Sequence, residues 1–243
     1  MLKTVDLSKR YENGVLAVKG LNLHVKGGEI FTMLGANGAG KTTTINLMFN
    51  FTEPTEGQVL VHDIDVNRDP LKAKRHMAYV SENVMLYGNF TALQNIDFFA
   101  KLGGRKDVTR DEYYEVLRRV GLPEECFRRR LKTFSKGMRQ KCGIAIAIIK
   151  DADVILLDEP TSGLDPKSGR EFLGLLHQLK EEGKAIFMTT HDIFRAKEIA
   201  DRVGIMTQGS MVREIPREEI VGANLEEIYM EYIERYENNT SGN

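Results

Sequence analysis

GANGAGKTT, residues Gly35 to Thr43, is the stretch whose reading decides the fold. It has the spacing G-x-x-x-x-G-K-[ST]. It stands between an apolar run, EIFTML (Glu29–Leu34), and a helical pattern that starts at Gly40 and runs to about Asn50. A strand, a glycine-rich turn and a helix in that order are the context in which this spacing binds phosphate. Glycines let the backbone curl so that several N–H groups aim at one phosphate chain. On this reading Gly35, Ala36, Asn37, Gly38, Ala39 and Gly40 form the cradle, with Thr43 beside it. Lys41 reaches the β- and γ-phosphates, and Thr42 offers its hydroxyl to Mg²⁺. The competing reading is a glycine-rich turn with an exposed lysine, and the flanking strand and helix count against it.

Outward from this turn, short buried-strand patterns alternate with helical ones. EPTEG (Glu53–Gly57) is a turn leading into QVLVHDIDV, which begins with strand-like alternation. Met77–Val80, Val154–Asp158 (VILLD), Ala185–Thr190 (AIFMTT) and Val203–Met206 read as further buried strands. Such runs between helices predict a mostly parallel α/β sheet. From about Asn83 to Ala152 only helices are predicted. Thr91 and Gln94 form a capping box for the first, DEYYEVLRRVGL gives a second, and KGMRQKCGIAIAIIK a third. That stretch reads as a helical insert. Near the end, NLEEIYMEYIERYENN places Leu225, Ile228, Tyr229, Tyr232, Ile233 and Tyr236 on one stripe, for docking on its own domain or for a partner. The last residues, NTSGN, read as frayed.

Two acids end the strand VILLD. Asp158 would sit at the carboxyl edge of the sheet, where α/β ligands bind, and can hold Mg²⁺ through water. Glu159 follows, and phosphoryl transfer to water needs a group that orients or deprotonates the water. Asp165-Pro166 is a helix start, with Asp as cap and Pro in the first turn. His191, after AIFMTT, stands where a γ-phosphate sensor would be, or is a polar surface residue.

One more stretch resists a purely structural reading. In TFSKGMRQK (Thr133–Lys141), Ser135 reads as a helix N-cap. Gly137 gives up roughly 1 kcal/mol of helix propensity relative to alanine. Lys132, Lys136, Arg139 and Lys141 crowd a helix start, where positive charge is disfavoured. A hydroxyl, bare backbone and positive charge at a helix N-terminus together point to an anion.

Composition narrows the classes. At 243 residues the chain can bury a sizeable core. A net charge of −1 provides no field for nucleic acid. Two cysteines, with no CxxC or Cys/His cluster, argue against a disulfide framework or a zinc site and point to a reducing compartment. MLKTVDLSKRY lacks the apolar core of a signal peptide, and no apolar run approaches the ~18 residues that span a bilayer. If the chain works at a membrane, another chain must hold it there.

These motifs, in this order over residues 1–222, resemble the nucleotide-binding subunits of ATP-binding cassette (ABC) transporters. The resemblance implies a P-loop NTPase (RecA-like) fold: a mostly parallel sheet with an antiparallel β subdomain and an inserted α-helical subdomain. Residues 1–82 and 153–223 would form the ATP-binding core, 83–152 the helical signature subdomain and 224–243 a C-terminal helix and tail. Gly35–Thr42 corresponds to Walker A, Val154–Asp158 to the Walker B strand, Glu159 to the catalytic glutamate, Ser162–Asp165 to the D-loop, with Asp165 near the nucleotide, and His191 to the switch histidine. Tyr11 lies where the family stacks an aromatic on adenine, and Val18 where a small apolar residue packs beside the base, although either could equally be core or surface. Ser135 and Gly137 fall on the signature, usually LSGGQ, which closes over ATP held by a second subunit. The resemblance further implies ATP and Mg²⁺, a homodimer or a paired second cassette, and membrane permease subunits as separate chains. It places the chain in the cytoplasm, at the inner face of the membrane, with no nucleic acid.

Two positions depart from the family. Glu82 stands where the Q-loop has glutamine; it can still ligate Mg²⁺ as a hard oxygen, but once ionised it cannot donate a hydrogen bond. Phe134, Lys136 and Met138 depart from the signature. Lys136 either approaches the partner's γ-phosphate or points to solvent, the simpler of the two. Such variants resemble the exporter-type branch called ABC-2. The rival readings are a non-transport ABC ATPase, another P-loop enzyme such as a GTPase or kinase, and a regulatory subunit that binds ATP without hydrolysing it. Against the first stand the absence of long coiled coils and the single cassette; against the second, the absence of an NKxD motif.

Overall fold

The computed structural model describes residues 1–222 and 224–240, the last five as backbone only. In chain order the elements are β1 (Leu2–Arg10), β2 (Leu16–Val25), β3 (Glu29–Leu34), α1 (Lys41–Met48), β4 (Glu56–Val61), β5 (Ile64–Asp65), α2 (Pro70–Arg75) and β6 (Met77–Val80). Next come α3 (Ala92–Leu102), α4 (Arg110–Arg119), α5 (Lys136–Ile149), β7 (Val154–Asp158), α6 (Pro166–Glu181) and β8 (Ala185–Thr190). The chain continues through α7 (Ile193–Ile199), β9 (Arg202–Thr207), β10 (Ser210–Pro216), α8 (Arg217–Gly222) and α9 (Leu225–Thr240).

The larger sheet has six strands in the order β10-β9-β3-β8-β7-β6. All neighbours are parallel except β10, which returns antiparallel on β9. β7 and β8 are buried at every residue, as expected of strands covered on both faces. Phe31 and Phe187 stack at 5.8 Å between centroids and 5° between planes. Each such buried ring contributes about 1.5–3 kcal/mol. The second sheet has four strands, β2-β1-β4-β5, all antiparallel, and the two sheets share one core around α1. Residues 1–28 carry little period-2 signal of their own, and only the resemblance led to expect an antiparallel subdomain there.

Between β6 and β7 the chain forms α3, α4 and α5 and, among the described residues, no strand beyond one isolated bridge, Thr91–Arg130. α3 has the expected capping box. α4 has a second one, Thr109 with Glu112, that explains why it starts at Arg110. α9 docks on its own domain: Leu225 is buried, and Ile228, Tyr229 and Tyr232 pack against the cluster of Val203, Ile205 and Ile215. Tyr236, expected on the same stripe, lies outside the residues whose side chains are described.

The topology places the site. β8 lies between β3 and β7, with Leu34 opposite Thr190 and Asp158 opposite Thr189. The glycine-rich turn after β3, the acids after β7 and the histidine after β8 therefore leave the sheet at one carboxyl edge. That edge is the place where α/β sheets bind ligands.

Candidate functional site

The turn after β3 is fixed by its backbone. Gly40 has φ 111, and a Cβ there would sit 2.3 Å from the Ala17 carbonyl oxygen. Only glycine avoids that clash and tolerates that conformation. α1 begins at Lys41 with no side chain capping its N-terminus, so the positive end of its dipole faces the cleft undiminished. Lys41 is buried. Its Nζ donates to the carbonyls of Gly35 (2.7 Å) and Ala36 (3.2 Å) and lies 3.3 Å from Glu159 Oε1.

Glu159 is held in a left-handed backbone conformation, φ 46, unusual for a residue with a Cβ. Such positions persist only where the surroundings impose them. Here the N–H of Glu159 donates to the backbone and side-chain oxygens of Thr189, both at 3.2 Å. On its carboxylate, Oε2 lies 3.0 Å from His191 Nδ1 and accepts from the His191 amide at 3.3 Å. Oε1 is buried and has no hydrogen bond, only the Lys41 charge beside it. Asp158 Oδ1 accepts from Thr189 Oγ1 at 2.6 Å. Nearby, burial and then the Asp158 charge push the Tyr79 phenol up to about 12.

Beside them is a cleft of about 490 Å³, walled by Ala36, Asn37, Gly38, Gly40, Lys41, Thr42 and Thr43, by Glu82, Asp158 and Glu159, and by Val15, Leu16, Ala17 and Lys19 from the β1–β2 side; His191 stands behind Glu159 and does not line it. Gly35 and Ala39, expected in the cradle, face inward. The Gly35 amide donates to Thr190 O, and the Ala39 methyl is in the core. Tyr11 stands at the rim, its hydroxyl 3.4 Å from Thr43 Oγ1. Val18 is a correction. It is completely buried in the core, and Ala17 and Lys19 face the cleft instead. The apolar wall beside a ligand is therefore set by Val15, Leu16 and Ala17 and not by Val18. Asp165 is a second correction within this chain: its carboxylate caps α6, accepting from the amides of Lys167 and Ser168 and from the Ser168 hydroxyl, and it does not line the cleft. The Ser168 hydroxyl bond, foremost, holds its carboxyl below the usual range.

The two family departures meet. Glu82 Oε1 accepts from Ser162 Oγ at 2.9 Å and from Lys136 Nζ at 3.3 Å. These bonds, the serine's foremost, hold the Glu82 carboxyl below its ordinary range. Lys136 thus turns to an anion of its own chain and not to solvent, because the loop after β6 runs past the N-terminus of α5. Lys141 likewise pairs with Glu171 at 2.8 Å. Two of the four cations crowding that helix start are therefore matched internally. Gln140, not singled out in the sequence, is fully buried and donates to the carbonyls of Ser81 (3.1 Å) and Glu82 (2.8 Å), fixing the loop that carries Glu82. Its signal was a lone polar residue on the apolar face of α5. Ser135 caps α5 through the Met138 amide, is exposed, and lies outside the cleft together with Gly137.

The arrangement combines a backbone cradle at a helix N-terminus, a buried ammonium, and a carboxylate with one oxygen bound to an imidazole and the other left without a hydrogen bond. These groups fit a nucleoside triphosphate and a hydrolytic water. Comparison with known proteins agrees. Residues 18–162 match the ABC transporter family. The chain is 36% identical over 234 residues to the bacitracin transport ATP-binding protein BcrA of Bacillus licheniformis, covering 96% of this chain and 74% of that protein. It is 33% identical to the linearmycin resistance ATP-binding protein LnrL of Bacillus subtilis (strain 168), covering 87% and 68%. Among solved structures, the dimeric post-hydrolysis cassette MJ0796 bound to ADP and Pi is similar with a TM-score of 0.81 and 28% identity, over 89% of this chain and 99% of that one. Motif order, sheet-edge geometry and these relatives converge, and the chain belongs to the ABC transporter family as an ATP-binding, ATP-hydrolysing subunit.

Proposed function

We propose that this subunit closes head to tail with a second cassette around two ATP·Mg²⁺, that Glu159 acts as the base on the attacking water, and that hydrolysis reopens the pair. The observation that carries this reading is the Glu159 carboxylate, oriented by His191 on one oxygen and by Lys41 on the other at the lip of the glycine turn. Lys41 takes the β- and γ-phosphates in exchange for the loop carbonyls, and Tyr11 with Ala17 borders the base. Thr42, Asp158 and Glu82 carry the oxygens that would hold Mg²⁺, a set of hard donors suited to it. The ion, when bound, draws off charge from the β- and γ-oxygens.

The exposed Ser135 supports the two-subunit site, since neither it nor Gly137 lines the cleft of its own chain. Hydrolysis that needs two copies shows a specific activity that rises with protein concentration. A specific activity constant over a wide concentration range sinks the two-subunit reading.

Closure requires the Glu82–Lys136 pair to part, which frees Glu82 to turn to its own metal. The pair is partly exposed, with side chains 44% and 31% accessible. An exposed pair is worth about 0–1 kcal/mol. Lys136→Ala is therefore expected to change ATP-driven dimerisation by no more than about fivefold. A loss on the order of a hundredfold, read by light scattering, would instead put Lys136 on the partner's γ-phosphate.

A groove of about 580 Å³ runs beside the Glu82 loop, between the core residues Phe49, Leu71 and Tyr79 and the helical residues Phe99 and Leu102. Met85 is 88% exposed there, Leu71 77% and Leu102 71%. No helix among the described residues is long and apolar enough to cross a membrane. The groove suits an apolar segment of a separate membrane subunit, whose position is thereby coupled to Glu82. Relatives named for bacitracin transport and linearmycin resistance support the exporter branch. Met85→Glu should leave ATPase activity of the isolated chain within about twofold, as surface changes do. It should also reduce recovery of the membrane subunit with the tagged chain; undiminished recovery removes Met85 from the interface.

A further inference from the structure

His62, His76 and Asp153 meet at the amino edge of the parallel strands, the edge opposite the nucleotide cleft. His76 stands just before β6, Asp153 just before β7, and His62 in the turn between β4 and β5. Three separate segments thus converge, and none has a part in the nucleotide chemistry.

The geometry is close to that of a coordination sphere. His62 Nε2 lies 3.1 Å and His76 Nδ1 2.8 Å from one and the same oxygen, Asp153 Oδ2. The three ligand atoms lie within 4.8 Å of one another, and the two rings stand edge to face at 5.1 Å. Donors bound to one ion at roughly 2.0–2.2 Å lie about 3 Å apart. Only small side-chain rotations separate the observed positions from that arrangement.

The backbone beneath each donor is fixed. His62 and Asp63 have φ 50 and 64, the left-handed pair of a two-residue hairpin turn. The His62 amide donates to the Met1 carbonyl at 3.0 Å. The His76 carbonyl accepts from the amides of both Asp153 and Val154 at 2.9 Å, so these two donors share one rigid crossing of the chain. Lys184 also reaches the cluster. Its Nζ lies 3.9 Å from the other oxygen, Asp153 Oδ1, but its closer partner is Asp151 Oδ1 at 2.6 Å. Its charge is thus matched beside the cluster by Asp151.

Two imidazoles and one carboxylate are the donor set of a borderline divalent ion, whereas Mg²⁺ and Ca²⁺ take oxygen donors throughout. We propose that His62, His76 and Asp153 form a Zn²⁺-class site, with water completing the shell, that ties the turn of the antiparallel sheet to the amino edge of the parallel sheet. The site is independent of the nucleotide-binding reading, because its donors lie at the other edge of the sheet.

The test uses the full-length chain, stripped of metal and free of nucleotide, titrated with Zn²⁺ in competition with a chromogenic indicator and with Co²⁺ followed by its visible absorption. One equivalent is expected to bind, with a Co²⁺ spectrum of nitrogen and oxygen donors and a rise in Tm on adding Zn²⁺. His62→Asn, which keeps a residue tolerant of the left-handed turn, His76→Gln and Asp153→Asn should each weaken Zn²⁺ by about tenfold or more and remove the rise in Tm. His191→Ala, at the other edge, should leave the titration unchanged. All three donor groups are partly exposed, so folding of the variants is readily checked by circular dichroism. The same isotherm for wild type and His76→Gln, or no Zn²⁺-dependent rise in Tm in the wild type, overturns the site.

Discussion

Glu159→Gln is expected to bind ATP as tightly as the wild type and to hydrolyse it about 10²–10⁴-fold more slowly, the range removed with a general base. The carboxylate is positioned by groups of its own chain. Its backbone is in a left-handed conformation imposed by two bonds to Thr189, and His191 Nδ1 holds Oε2 at 3.0 Å. Oε1 is buried without a hydrogen bond. That oxygen is the one available to a water at the γ-phosphate. Glutamine has the same shape and fills the same place, but it cannot take a proton. It also relieves Lys41 of its pairing with Glu159 at 3.3 Å, so affinity for the triphosphate is held or raised. The amide side chain should therefore trap the ATP-bound dimer. The check is single-turnover hydrolysis together with the mass of the ATP-bound species by light scattering. Turnover within a few-fold of wild type removes Glu159 from the role of base.

What the sequence made legible follows the physics of each segment. β3, β7 and β8 were bounded to the residue because apolar runs that stop at glycine, at acid or at a polar Thr-Thr-His leave little choice. The nucleotide turn was equally plain, since a glycine at φ 111 against a carbonyl admits no other residue. β1 and β2 were not legible on their own: their side chains are a mixture of buried and exposed, and the strands are defined by pairing across the sheet. Val18 was misassigned for the same reason. A one-residue offset in a strand exchanges core for cleft, and spacing from a motif does not fix the face. Lys136 illustrates a different limit. Its partner, Glu82, lies more than fifty positions away, and long-range ion pairs leave no local pattern. The histidine–aspartate cluster was invisible for that reason too.

Lys41→Ala carries the second large effect, a loss of about 10²-fold or more in ATP affinity, equivalent to roughly 2.7 kcal/mol. Hydrogen bonds to a charged group are worth about 1.5–3 kcal/mol each, and the ammonium is placed to make more than one to the β- and γ-oxygens. Its present contacts show why no neighbour can replace it. The Nζ is buried between the carbonyls of Gly35 and Ala36 and the Glu159 carboxylate, at 2.7, 3.2 and 3.3 Å. Alanine leaves those carbonyls and a mostly buried carboxylate without their cation, so a fall in Tm accompanies the loss of affinity. The two effects are separable. Adding Glu159→Gln to Lys41→Ala removes the unpaired charge and should recover much of the Tm, because residues in contact do not act additively. It should recover none of the ATP affinity, since the phosphates still lack the ammonium. Calorimetric titration of the single and double variants checks both halves. Wild-type ATP affinity in a folded Lys41→Ala chain would contradict the phosphate-binding assignment of the glycine turn itself.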